Sequence, residues 1–205
     1  MAFAVLLQTL AKQLMRVVAI SVFLACAAGI PAGATILQQL TLDEMVQKST
    51  SIVRARVTGS SEVVRGGDVF TVYKLETLEI LKSGPAAREV AVPGGVAGGM
   101  RQVVAGAPIL RAGREYVLFL WTGRSGLTQL MGMSQGLFSV DRTTAADAQA
   151  SRAAAGEQML DGVGRAVRDE PLSMPLTELR AKVSKALAVA VTAGTRGTLA
   201  PGAGK

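Results

Sequence analysis

Short runs of β-branched and apolar residues, repeatedly broken by glycine or proline turns, constrain the fold of this chain more than any other feature. The run SIVRARVTG (51–59) alternates apolar and polar residues, which predicts a half-buried strand with Val53, Ala55 and Val57 on one face. A longer run (69–84) changes its apolar face along its length, as a bent strand of a small barrel does. Residues 113–121 (GREYVLFLW) are apolar on both faces, which predicts a central strand. The pattern therefore predicts a mainly β protein built on a small β-barrel.

Two segments predict helices. Residues 41–49 begin with Thr41 and carry Glu44 three positions later, which is a capping-box signature for a short N-terminal helix. Residues 174–191 place Pro175 in a first turn and repeat apolar residues at helical spacing, which predicts a C-terminal helix. We expect this helix to pack on the barrel or on a partner.

The first 34 residues have the pattern of an export signal. Lys12 and Arg16 precede an apolar run (17–28), and Ala32-Gly33-Ala34 supplies a small-x-small cleavage site before Thr35. The apolar run is too short for a comfortable membrane span. A later start at Met15 would give a more compact signal. The protein is therefore predicted to be exported, to the periplasm or the cell exterior.

The only cysteine, Cys26, lies within this signal, in FLAC, which resembles a bacterial lipoprotein box. Cleavage after Ala34, lipidation of Cys26 and retention of the signal as an anchor are the three alternatives. Cleavage after Ala34 would leave a chain without cysteine, which folds without disulfides in an exported, bacterial context. Membrane contact is expected only through an uncleaved signal or a lipidated Cys26.

The absence of histidine excludes several chemistries. Nucleophilic triads and zinc-peptidase motifs lose their imidazole, and nearly all transition-metal sites lose their ligands. The acids are scattered and form no calcium loop, so no metal, cofactor or catalytic residue is assigned. A hydrolase using carboxylates alone stays an alternative, and it would need convergent acids among Asp43, Glu44, Asp68 and Glu115. The neighbours Lys82-Ser83 and Ser184-Lys185 are interpreted as solvated polar residues.

The glycine-rich stretch PGGVAGG (93–99) has neither the P-loop lysine nor the spacing of a dinucleotide fingerprint. We interpret it as a wide, mobile connection between barrel strands, so no nucleotide is expected. The 22 basic residues against 15 acidic ones form no concentrated patch, so no nucleic acid is expected either.

Three segments resemble, in order and approximate spacing, the netrin-like fold of tissue inhibitors of metalloproteinases: residues 51–59, 72–84 and 113–120. That family fold is a five-stranded OB barrel. A group of uncharacterised exported bacterial proteins is more similar still, through VPGG (92–95), GAPILRAGREYVLFL (106–120) and GMSQGLFSV (132–140). The inhibitors chelate the protease zinc through an N-terminal cysteine, which the predicted mature chain lacks. The resemblance therefore implies a fold and transfers no site residue.

These observations together predict the organisation of the chain: a signal peptide (1–34), an OB-like (netrin-like) β-barrel domain (35–141), a mobile Ala/Gly-rich segment with fragments of helix (142–173), a C-terminal helix (174–191) and a disordered tail (192–205). The predicted function is a non-catalytic binding module for a protein or an envelope polymer. An envelope structural or lipid-anchored accessory protein is the alternative. The candidate contact residues are Arg54, Arg56, Gly95, Gly98 and Arg101, with the arginines exposed and suited to an acidic partner.

Overall fold

The computed structural model of the chain describes residues 36–142 and 148–197, with side chains described as far as residue 190. The chain divides into two units, Met1–Ala34 and Thr35–Lys205, and every described residue belongs to the second. The predicted signal peptide, Cys26 and residues 198–205 of the predicted tail lie outside the described residues.

The described chain is mainly β, with one short helix near its start and one long helix at its end. Its elements are β1 (Leu37–Gln38), α1 (Leu42–Lys48), β2 (Ser51–Arg65), β3 (Asp68–Lys82), β4 (Glu89–Pro93), β5 (Gly95–Ala97), β6 (Met100–Gln102), β7 (Glu115–Thr122), β8 (Thr128–Leu130), β9 (Leu137–Asp141), β10 (Gln149–Arg152), β11 (Met159–Leu160), β12 (Ala166–Val167), β13 (Leu172–Pro175) and α2 (Leu176–Gly197). A 3₁₀ turn, Met133–Gly136, precedes β9.

Eight strands form one sheet in the order β13-β10-β9-β7-β2-β3-β4-β8. Because β8 also pairs with β7, the pairings through β7, β2, β3, β4 and β8 return to the strand where they began. This closure is uneven, since β4 and β8 are joined in parallel by the single pair Ala91 and Gln129. Register shifts along β2 and β3 let these two long strands curl. Two small sheets, β1-β11-β12 and β5-β6, lie outside this arrangement.

The core has two parts, one on each face of the central strand β7. Val53, Ala55 and Val57 of β2 are buried in one part, together with Leu118 and Leu120 of β7. The strand alternation predicted for β2 is confirmed. The other part is formed by the opposite face of β7 with both helices, and it contains Ile52, Val117, Phe119, Phe138, Met45, Val46, Leu176, Leu179 and Val183. Each face of β7 is covered by different elements, which explains why the strand is apolar and buried on both faces from Tyr116 to Leu120.

The N-terminal helix has the predicted capping box. The Thr41 hydroxyl accepts from the Glu44 amide at 3.2 Å, and the Glu44 carboxylate accepts from the Thr41 amide at 2.9 Å. This second bond is the main reason that the pKa of Glu44 lies below its usual value. At the other end of α1, Lys82 Nζ donates to the carbonyl oxygens of Val46, Gln47 and Ser49 at 2.7, 3.2 and 2.6 Å. Lys82 therefore caps this helix from β3.

The C-terminal helix packs through Leu176, Leu179 and Val183, which are fully or nearly fully buried. This arrangement confirms the apolar face predicted from the helical spacing. Pro175 ends β13 and directly precedes the helix instead of occupying its first turn. The helix continues to Gly197, so part of the segment predicted as a disordered tail is helical.

Residues 142–173 differ from the prediction. The expected fragments of helix are wrong for the described part of this segment, which contains strands β10, β11, β12 and the start of β13. Strand β10 pairs with β9 on one side and β13 on the other, so the main sheet continues past residue 141. A buried ion pair between Arg152 and Asp169, at 2.6 Å, joins two distant parts of this segment. Pairing with distant strands outweighs the helical preference of its alanines.

Candidate functional site

A two-stranded arm (residues 58–74) extends from the main sheet and forms the floor of the candidate site. Gly66 and Gly67 turn the chain with φ values of 62° and 91°, between the paired residues Arg65 and Asp68. Two consecutive positive φ values favour glycine and give a tight hairpin whose twist matches its strands. A register shift between Val57 and Gly59 marks the base of the arm, where pairing with β7 has ended.

The stretch PGGVAGG forms half of a second hairpin, which we call the covering hairpin (residues 95–102). Its strands β5 and β6 pair around a tight turn, so the interpretation of this stretch as a wide connection is wrong. Gly94 and Gly95, with φ values of 106° and 133°, redirect the chain after β4. A methyl group on Gly95 would come within 2.9 Å of the Thr71 hydroxyl and 3.3 Å of the Glu62 side chain. Glycine is therefore required here because the covering hairpin crosses the arm closely.

Four hydrogen bonds hold the covering hairpin against the arm. The Gly94 amide donates to the Val69 carbonyl at 2.8 Å, and the Thr71 hydroxyl donates to the Gly94 carbonyl at 2.9 Å. Gln102 accepts from the Val69 amide at 2.7 Å and donates to Asp68 at 3.3 Å. Both ends of the covering hairpin are therefore fixed to β3.

A cleft of about 500 Å³ lies between the arm, the covering hairpin and the segment that follows it (residues 103–110). Ser60, Glu62 and Thr71 of the arm line it, and Arg101 lines it from the covering hairpin. The cleft is open to solvent along one side and is bounded mainly by backbone and aliphatic groups. Such a shape suits a chain segment better than a small cofactor.

Two tyrosines hold the segment 103–110, which forms the far wall of the cleft. Burial raises the pKa of Tyr73, against the opposing effect of its hydrogen bond with the Leu110 backbone, so the phenol stays neutral. The Tyr116 hydroxyl accepts from the Arg111 amide at 3.0 Å. Leu110 itself is 3% exposed and packs among the core residues. The wall is thus anchored at Leu110 and Arg111.

Apolar side chains surround the cleft on its solvent side. Val103 and Ile109 of the far wall are each 81% exposed, and Val96 of the covering hairpin is 55% exposed. Met100 and Val64 are also exposed nearby, at the tip of the covering hairpin and along the arm. Grouped apolar exposure of this kind marks interaction sites more often than isolated exposed residues do.

The charged residues of the cleft are Glu62 and Arg101. Neither forms an ion pair with another residue in the described part of the chain. Of the predicted contact residues, Gly95 and Arg101 line the cleft. Gly98 lies at the tip of the covering hairpin, where an added methyl would contact Val64 at 3.2 Å.

Arg54 and Arg56 are not in this site. Arg54 is 13% exposed and donates to Glu79 and Glu115, each at 3.0 Å, so the expectation that it is exposed is wrong. Arg56 is 42% exposed and pairs with Glu76 at 3.2 Å and Glu115 at 2.8 Å. The carboxylates on neighbouring strands already compensate the two charges, so the geometry gives these arginines a structural role.

Glu115 is the centre of this charge cluster, because Arg142 also donates to it at 3.1 Å. Burial by itself would raise the pKa of Glu115, but Arg56, Arg142 and Arg54 together bring the pKa below its usual value. The pKa of Glu79 is also lowered, chiefly by its hydrogen bonds from Arg180 of α2. The ionised carboxylate of Glu79 therefore joins α2 to the sheet through Arg180.

The acids considered for carboxylate catalysis do not gather at the cleft. Asp43 and Glu44 lie in the first turn of α1, where Glu44 forms the capping box. Glu115 accepts from three arginines and Asp68 accepts from Gln102. None of these four acids lines the cleft. Lys82 donates to three carbonyls and is not available to Ser83 as a base. Within residues 36–142 and 148–197, no three His, Cys, Asp or Glu side chains are grouped as metal ligands.

Sequence reasoning expected contacts in the loop Gly94–Gly106, which includes Val103, but it did not single out Ser60, Glu62 and Thr71 of the floor or Ile109 of the far wall. One available signal was the two apolar pairs, Val103-Val104 and Ile109-Leu110, on either side of a short segment of alanine, glycine and proline. Among the described helices, none is both long enough and apolar enough to cross a membrane. No family model, no curated protein and no solved structure matches this chain.

Proposed function

We propose that this protein is an exported, non-catalytic binding module whose cleft holds a segment of a partner protein. The observation that carries the proposal is the solvent-open cleft of about 500 Å³ bordered by exposed apolar side chains on rigidly held backbone. Apolar rims of this kind favour a protein partner over a hydrophilic envelope polymer. The export part of the proposal is supported by the sequence of residues 1–34.

We assign the barrel as OB-like, of the netrin type, and the order of strand pairing supports this. Strands β2, β3, β4, β7 and β8 take the places of the five barrel strands. The first pairs with the second and the fourth, and the third runs parallel to the fifth. OB barrels bind ligands over strands two and three and the loop between strands one and two. The cleft lies over the corresponding elements, β3, the end of β4 and the arm.

The cleft offers little for catalysis. The Thr71 hydroxyl is engaged by the Gly94 carbonyl. The phenol of Tyr73 is buried and held neutral. The remaining polar groups suit positioning of a bound chain, since Glu62 and Arg101 can each meet an opposite charge.

The experiment compares capture of a partner by the full chain and by cleft variants, in the native host. Val103→Asp and Ile109→Asp each place a carboxylate on the apolar rim. Val163→Asp is the matched control, because Val163 is 75% exposed and does not line the cleft. We expect one stoichiometric protein partner to be retained by the control and to bind the rim variants about tenfold or more weakly.

Two results would overturn the proposal. One is a partner that binds the rim variants and the control equally well, since the cleft would then not be the site. The other is recovery of an envelope polymer, or of a palmitate-labelled form in the membrane fraction, with no protein partner. Those outcomes would favour the polymer-binding and lipid-anchored alternatives respectively.

A further inference from the structure

One edge of the arm has no partner among the described strands. The ladder between β2 and β7 ends at Arg56, and the last backbone bonds on that side join Val57 to Gly113 and Arg114. Beyond that point, as far as Arg65, β2 pairs only with β3 in the described part of the chain. The outer edge of β2 is therefore open over residues 60–64.

The register shows which backbone groups point to this open edge. Val64 is the register partner of Val69, yet the Val69 amide donates to Gln102 and its carbonyl accepts from Gly94. The N–H and C=O of Val69 therefore point away from β2. Because Val64 is its register partner, the N–H and C=O of Val64 point away from β3, toward the open edge. The same alternation applies to Ser60 and Glu62, so three residues each present one N–H and one C=O.

The open edge carries one charged residue, Glu62, and a register shift at its base, but it lacks the stronger protections. Natural proteins shield such edges with charged residues, most often lysine, with proline, with bulges, or with a covering element. Residues 58–64 (TGSSEVV) contain no proline and no lysine. The covering hairpin lies on the face of the arm, over Glu62 and Thr71, and leaves the edge of β2 unpaired within the described residues.

The side chains along this edge border the cleft. Ser60 and Glu62 line it, and Val64, which points to the same face, is 41% exposed. Glu62 forms no ion pair with a described residue. A strand added at the edge would therefore meet a carboxylate and, two residues along, an apolar side chain. Opposite charges and apolar pairs in facing positions of neighbouring strands stabilise a sheet.

We propose that the partner segment binds as an added β-strand along residues 60–64 of β2. The segment is an extended stretch of a partner protein with a lysine or arginine facing Glu62 and an apolar residue facing Val64. Backbone pairing supplies affinity, and these two side-chain contacts supply selectivity. This inference rests on the proposed function of the cleft and specifies the form in which its partner binds.

The test uses the full chain and a phage-displayed library of random linear peptides as the probe. We expect enrichment of peptides that alternate apolar and polar residues and carry a lysine or arginine. The basic residue should lose its enrichment on Glu62→Gln. Amide hydrogen exchange of the wild-type chain should then slow at Ser60, Glu62 and Val64 when an enriched peptide is bound.

A pair of variants separates backbone from side-chain binding. Ser60→Pro removes an edge-facing N–H, whereas Ser60→Ala removes only the hydroxyl. We expect Ser60→Pro to bind enriched peptides about tenfold or more weakly and Ser60→Ala to bind them as the wild type does. The exchange measurement does not depend on the folding of either variant.

Three outcomes would overturn the inference. Enriched peptides that perturb Arg101 and Val103 without slowing exchange at the three edge amides would refute strand addition and leave the binding function of the cleft standing. A concentration-dependent dimer that Ser60→Pro disperses would identify a second copy as the occupant. A library with no peptide enriched over the Val103→Asp variant would refute strand addition together with the proposed function.

Discussion

Replacing Glu115 with glutamine tests whether the charge cluster stabilises the fold. The Glu115 side chain is 11% exposed and accepts from Arg54, Arg56 and Arg142 at 2.8–3.1 Å. Arg142 and Arg56 are 59% and 42% exposed and regain water when the charge is lost. Arg54 is 13% exposed and keeps only Glu79, so its bond dominates the cost. A hydrogen bond between charged groups contributes about 1.5–3 kcal/mol, so we expect Glu115→Gln to cost about 2–3 kcal/mol.

Urea and thermal unfolding at neutral pH measure this change. For a domain of this size, about 2–3 kcal/mol corresponds to a melting temperature lowered by about 4–12 °C. Glu76→Gln is the matched control, because it removes a carboxylate whose single pair, with Arg56, is exposed on both sides. We expect the control to cost no more than about 0.5 kcal/mol. If Glu115→Gln cost as little as Glu76→Gln, the ion pairs of the cluster would not stabilise the fold, and the reasoning would be refuted.

Three further predictions follow from particular contacts. The pKa values of Glu79 and Glu115 are lowered in the folded state, so the unfolded chain binds more protons in acid. The free energy of unfolding should therefore fall as the pH drops below about 4.3. This fall should be smaller in Glu115→Gln. Lys82→Met should cost about 1–3 kcal/mol in urea unfolding, since three helix-end carbonyls lose their donor, and an unchanged midpoint would contradict this. Gly136→Ala should lower the melting temperature, because the new methyl would lie 2.6 Å from the Met131 carbonyl, whereas Gly59→Ala, with nothing within 4 Å, should not.

Local patterns predicted the elements whose stability is decided locally. The capping box needs only Thr41 and Glu44, and the alternation of β2 needs only its own residues, so both were readable in the sequence. Strand β10 was not, because its two partners are β9 and β13 and its own residues include Ala150. A strand whose ladder is completed by distant segments carries little local signal.

The arginines show why charge is harder to interpret than hydrophobicity. Arg54 and Arg56 alternate with buried residues, so the sequence correctly assigns them to the opposite face of β2. Their carboxylate partners come from Glu76, Glu79 and Glu115, between 20 and 61 residues away in the chain. Only the pairing of β2 with β3 and β7 brings these acids alongside, and no local pattern encodes that pairing.

The apolar rim of the cleft follows from the same long-range constraints. Gly94 and Gln102 bind both ends of the covering hairpin to Val69, and Tyr73 and Tyr116 hold the far wall at Leu110 and Arg111. Between these fixed points Val103 and Ile109 are 81% exposed, and the barrel interior is formed by other residues. Their burial would require another molecule, and under the proposed strand addition the edge of β2, which is unpaired among the described strands, would serve as its backbone template.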